Sequence, residues 1–121
     1  MVKYIAYQGK EYPIRVSYYA LKMLKEELGR SLNVNDDGTD YQAYEILLYY
    51  ALKKGHQKVH FGEPFPFVKG EPDNPMDVEN VMDEVYFKFI GLVPQFFSDT
   101  MLEEEEEKML AKSKEKKNEK K

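Results

Sequence analysis

Hydrophobic and polar positions alternate at the start of the chain. Val2, Tyr4 and Ala6 interleave with Lys3, Ile5 and Tyr7, and Tyr12, Ile14 and Val16 interleave with Glu11, Pro13 and Arg15. A period of two predicts a pair of strands joined at Gln8-Gly9-Lys10, where Gly9 accepts positive φ without a Cβ clash. Pro13 lacks an N–H, which places it on an edge. Ser17 then stands where an N-cap belongs, Leu21, Leu24 and Leu28 recur at helical spacing, and Gly29 suits a left-handed C-cap.

Beyond Gly29 the period is helical over most of the chain. Leu32 to Thr39 is a polar, turn-rich loop. Asp40 is placed to cap a second helix, with Tyr44, Leu47, Leu48, Ala51 and Leu52 along one side and Gly55 as its stop. Tyr41, Tyr49 and Tyr50 lie on its other side, so much of this helix is expected to be covered. From His56 to Pro75, prolines and glycines recur too often for a helix, leaving room for short extended pieces at Lys58–Phe61 and Phe65–Val68. A third helix starts near Asn74 to Asp77 and carries Val78, Val81, Met82, Val85, Tyr86 and Phe89 inward, with Glu79, Asp83 and Glu84 on the wet face. Gly91 and Pro94 are expected to kink or end it. A fourth helix then runs from Pro94 or Gln95 through Phe96, Phe97, Met101 and Leu102 into a run of glutamates. The pattern is α+β: an N-terminal β-hairpin, a mainly α-helical domain of about four helices over residues 1–102, and a charged low-complexity tail over 103–121.

Composition narrows the class. The chain has 121 residues and room for one domain. With no cysteine, disulfides, thiolate metal sites and cysteine nucleophiles are excluded. No apolar run reaches membrane-spanning length and no signal peptide is expected. The tail holds seven Glu and seven Lys, so residues 1–102 carry the whole net charge of −4. An acidic body is a poor nucleic-acid binder, because affinity there grows from a basic field that releases counterions. The lysine-rich end follows five consecutive glutamates, and opposite blocks of charge pair with each other or stay in water.

Candidate chemistry is sparse. His56 and His60 have the spacing of two ligands on one helix face, but no helical pattern spans them and loop histidines are the favoured reading. Asn33 to Gly38 resembles the start of a calcium loop, yet aligning Gly38 puts Asn33 at the first ligand position and Tyr44 at the last, where acids are needed. No phosphate loop, nucleophile elbow or Ser-His-Asp set can be drawn, so no enzyme, metal or cofactor is expected. Phe96 and Phe97 are the most informative pair. Neighbouring helical residues point about 100° apart, so one packs inward while the other is hard to hide. Together with Met101 and Leu102 they form either the edge of a helical core or a partner-binding surface.

The order of features resembles a known family. The hairpin segment GKEYPIRVS leads into a helix ending LKEELGRSL, a second helix ends YYALKKG, and MDVENVMDEV precedes a charged C-terminus. Over roughly Ile5 to Leu102 this is similar to the tail assembly chaperones of long-tailed, siphovirus-like bacteriophages and prophages. The Pro-rich stretch from Gly62 to Pro75 is longer than that pattern. The resemblance implies a helical protein of the bacterial cytoplasm that binds the tape measure protein, recruits tail tube subunits and self-associates. It also implies a short and a frameshift-extended product of one gene, and no catalytic residues. The alternatives are a structural virion component, such as a tail-completion or connector subunit, or a small helical interaction or regulatory protein.

Overall fold

The computed structural model describes residues 2–32 and 39–119, with side chains as far as Ser98. The architecture is α+β. Two strands, β1 (Lys3–Tyr7) and β2 (Lys10–Ile14), precede three helices, α1 (Tyr18–Leu28), α2 (Tyr41–Val59) and α3 (Val78–Glu119). The strands pair antiparallel in the register Lys3↔Ile14 through Tyr7↔Lys10. The turn is two residues, Gln8 and Gly9, both at positive φ (50° and 77°). That conformation matches the right-handed twist of the flanking strands. In β1, Ile5 and Tyr7 face inward and Tyr4 and Ala6 outward, a period of two; in β2 Pro13 is buried along with Ile14, and Val16 follows them inward.

α2 is the central element. It packs against α1, β2 and α3, while α3 also reaches β1. Ala43, Tyr44, Leu47, Leu48, Tyr50, Ala51 and Leu52 are all buried, so most of its circumference is covered. α1 contributes Ala20 and Leu24. One apolar cluster joins all five elements.

Four local expectations are corrected. Gly55 does not stop α2, which continues to Val59. A Cβ built on Gly55 would lie 2.3 Å from the carbonyl oxygen of Pro13. The glycine is there because β2 crosses the helix in backbone contact, fixed by the Arg15 N–H donating to the Ala51 carbonyl at 2.9 Å. The extension of α2 also removes the extended piece expected at Lys58–Phe61.

The second correction is at Pro94. The third and fourth helices are one helix, α3, with Pro94 inside it. Proline deletes one ladder hydrogen bond. The inward stripe Val78, Val81, Met82, Val85, Phe89, Val93 and Phe96 nevertheless keeps helical spacing past it, so the helix continues through the proline.

Third, Asp40 makes no side-chain cap. Its carboxylate instead accepts two hydrogen bonds from Arg30, at 2.6 and 2.8 Å, tying the end of α1 to the start of α2.

Fourth, Ser17 is extended, and its carbonyl accepts the first bond of α1 from the Leu21 N–H, but its hydroxyl does not cap. Among the described residues that buried Oγ has no partner. A true cap lost to alanine costs about 1 kcal/mol. A buried unsatisfied hydroxyl is itself unfavourable by about 1–3 kcal/mol. Ser17→Ala is therefore expected to hold or raise the melting temperature. A fall of several degrees in a thermal melt would show that the hydroxyl is capping after all.

The C-cap of α1 matches expectation: Gly29 has φ 83° and its N–H donates to the Lys25 carbonyl at 2.9 Å. The Pro-rich connection between α2 and α3 is anchored at several points. Phe67 is buried edge-on to Tyr12, with ring centroids 4.8 Å apart. Of the extended piece expected at Phe65–Val68, Val68 alone forms a bridge among the described residues, a parallel one to Asp77. The Tyr7 hydroxyl donates to the Pro75 carbonyl at 2.5 Å. Asp77 is buried, and its carboxylate accepts from the backbone N–H groups of Glu71 (2.7 Å) and Glu79 (3.0 Å), closing the loop onto the start of α3.

Candidate partner-binding surface

The surface expected from sequence divides. Phe96 is 2% exposed and belongs to the core, with the Lys3 ammonium 5.6 Å from its ring centroid. Phe97 is half-buried beside that core. The helical 100° offset accounts for the difference between the two. Met101 and Leu102 lie outside the residues whose side chains are described, as does the division at 102/103.

A different group of aromatics faces outward. Phe87 on α3 is 83% exposed, and Tyr41 at the first position of α2 is 64% exposed. Tyr86 links them. Its ring centroid lies 5.6 Å from Tyr41 and 5.2 Å from Phe87. Between the helices the three rings border an open hollow of about 330 Å³, with Met82 at its floor. Three carboxylates complete its wall: Glu45, one turn into α2, and Glu79 and Asp83 on α3. The α3 members are set by spacing. Glu79, Asp83 and Phe87 are four residues apart, so they rise in a column along one face.

That acidity is visible in Glu45. Burial, and then the nearby charges of Glu79 and Asp77, push its carboxyl above the ordinary range. A carboxylic acid whose folded pKa is raised binds its proton more tightly when folded. Ionisation therefore costs stability as pH rises through the ordinary carboxylate range, and the cost is absent below it. Glu45→Gln is expected to raise the melting temperature at pH 7, with the gain vanishing near pH 3. An equal gain at both pH values would show that charge is not the cause.

Two other side-chain groups are structural in their contacts. Lys69 of the Pro-rich connection donates to Glu27 on α1 at 2.7 Å and to the Tyr50 hydroxyl at 3.1 Å, and lies over the rings of Tyr49 and Tyr50. Tyr50 also donates to Glu27. Burial opposes ionisation of Glu27, but the bonds from Lys69 and Tyr50 outweigh it and hold the carboxyl below its ordinary range. The second group lies at the far end of α2. His56 is on the helix and His60 caps it, rather than both lying in a loop, with rings 5.4 Å apart. Glu63 engages both, its carbonyl 2.9 Å from His56 Nε2 and its carboxylate 3.2 Å from His60 Nδ1.

Among the described residues no group of three or more His, Cys, Asp or Glu side chains is arranged to hold a metal. The calcium-loop segment Asn33 to Gly38 lies outside them. No described helix is long and apolar enough to cross a membrane. Comparison with protein-family models, curated proteins and solved structures finds no match to this chain.

Proposed function

We propose that this chain is a tail assembly chaperone of a long-tailed bacteriophage or prophage. In the bacterial cytoplasm it binds the apolar helices of the tape measure protein, keeps them in solution, recruits tail tube subunits and self-associates. The observation that carries this reading is the outward aromatic face of Tyr41 and Phe87, set on two rigid helices above an otherwise buried core. A contiguous exposed apolar patch marks a binding surface, and helices hold its backbone in place, which lowers the ordering cost of binding. The hairpin followed by two helices is the part of the observed order that the family resemblance shares; the Pro-rich connection and the single long α3 are not part of that pattern.

The test is co-expression with a tape measure fragment. The fragment is expected in the soluble fraction, co-purifying with the chain, only when both are made. Insolubility in both cases rejects the reading. Recovery of the chain in purified virions at a fixed copy number would replace it with that of a structural tail component.

A further inference from the structure

The charge around the aromatic face says more than its exposure does. Glu45, Glu79 and Asp83 surround the Tyr41–Tyr86–Phe87 rings, and among the described residues none of the three makes an ion pair. Glu79 and Asp83 are like charges four apart on one helix, an arrangement that is unfavourable by itself. Aromatic faces attract cations through their quadrupoles, most strongly when the cation is partly desolvated. A guanidinium can stack on a ring and donate to a carboxylate in its plane at the same time. Rings and carboxylates around one hollow therefore select a cationic side chain.

We propose that this groove between α2 and α3 docks an amphipathic helix of a separate polypeptide, one whose apolar face is flanked by arginine or lysine. The apolar face covers Phe87 and Tyr41, and a basic side chain enters the hollow among Glu45, Glu79 and Asp83. This deepens the chaperone reading, on which it rests, by naming the chemistry of the client segment. The charge of the chain argues against a second copy as the occupant. The groove itself is lined by Glu45, Glu79 and Asp83, so the acidic body of a second copy is a poor complement to it, whereas a basic helix is drawn in. The chain's own lysine-rich end has no apolar residue after Ala111 with which to cover the rings.

The groove can be tested without the tape measure protein. Three fluorescein-labelled helical peptides share one Leu/Phe/Ala face and carry arginine, glutamine or glutamate beside it. Anisotropy titrations against the full chain should show the arginine peptide binding at least about tenfold more tightly than the other two, and losing that margin at high salt. Phe87→Ser should weaken the arginine peptide by about tenfold, as loss of a central aromatic anchor does. Phe61→Ser, equally exposed but at the far end of α2, should leave it unchanged. Glu79→Gln with Asp83→Asn should erase the preference for arginine over glutamine while the glutamine peptide binds as before. Circular dichroism of each variant confirms its fold.

Equal binding of the arginine and glutamine peptides overturns the proposal, as does equal damage from Phe61→Ser and Phe87→Ser. A change of sedimentation coefficient in Phe87→Ser would assign the groove to a second copy instead. The peptide result and the co-expression result are independent, so failure of the groove chemistry is distinguishable from failure of the chaperone reading.

Discussion

Gly55→Ala should be among the most damaging single-methyl additions in this protein, and Gly91→Ala should be stabilising. Both glycines sit inside helices, and propensity alone predicts a gain of about 1 kcal/mol from alanine at either position. At Gly91 nothing lies within 4 Å of the added Cβ, so the gain should appear in full. At Gly55 the new carbon would lie 2.3 Å from the Pro13 oxygen, 2.5 Å from its carbonyl carbon and 2.7 Å from the Ile14 Cα. All three are backbone atoms and cannot rotate away. Relief requires β2 to lift off α2, which stretches the Arg15-to-Ala51 hydrogen bond and opens the core around Ile14. Overpacking in cores costs about 1–3 kcal/mol and more where backbone must move. The net expectation for Gly55→Ala is a loss of at least about 2 kcal/mol, or roughly 10 °C in melting temperature for a domain of this size. A melt within a degree or two of the unsubstituted protein would mean that the hairpin is not seated on α2 as described.

The contrast between these glycines shows what sequence can carry. The hairpin, α1 and its Gly29 cap are legible because local rules determine them: a period of two, a period of 3.6, and a left-handed position that favours glycine. Local rules misplace Gly55 because its reason is tertiary, the crossing of α2 by a strand from far earlier in the chain. They misjudge Pro94 because the local cost of a proline does not count the apolar stripe that continues past it. Ser17 and Asp40 have the right residue type for caps, but burial silences one hydroxyl and Arg30 captures one carboxylate. Half of the candidate surface is within reach of sequence. Phe87 continues the column of Glu79 and Asp83, so it belongs to the wet face despite its neighbours Tyr86 and Phe89. The hollow itself is out of reach, since it exists only where the start of α2 meets the first turns of α3.

Phe89→Ala and Phe87→Ala should differ by most of the stability range a point substitution can span. Two residues apart on a helix is about 200°, so the two rings point to opposite sides of α3. Phe89 has no exposed surface and meets Tyr44 of α2 edge-on, with centroids 6.4 Å apart. Removing it deletes the transfer energy of a ring, leaves a cavity between α2 and α3, and loses an aromatic pair, for a total cost of about 3–5 kcal/mol. Domains of this length are stable by only about 5–15 kcal/mol, so the variant is expected near the edge of folding. Phe87, 83% exposed, has almost nothing to lose, and its alanine variant should fall within about 0.5 kcal/mol of the parent. Urea melts followed by circular dichroism measure both on one scale. A cost below about 1 kcal/mol for Phe89→Ala would mean that the α2–α3 interface is not packed around that ring. A large cost at Phe87 would place it in a contact that the folded monomer already makes, and the aromatic groove would lose its claim to be a free surface.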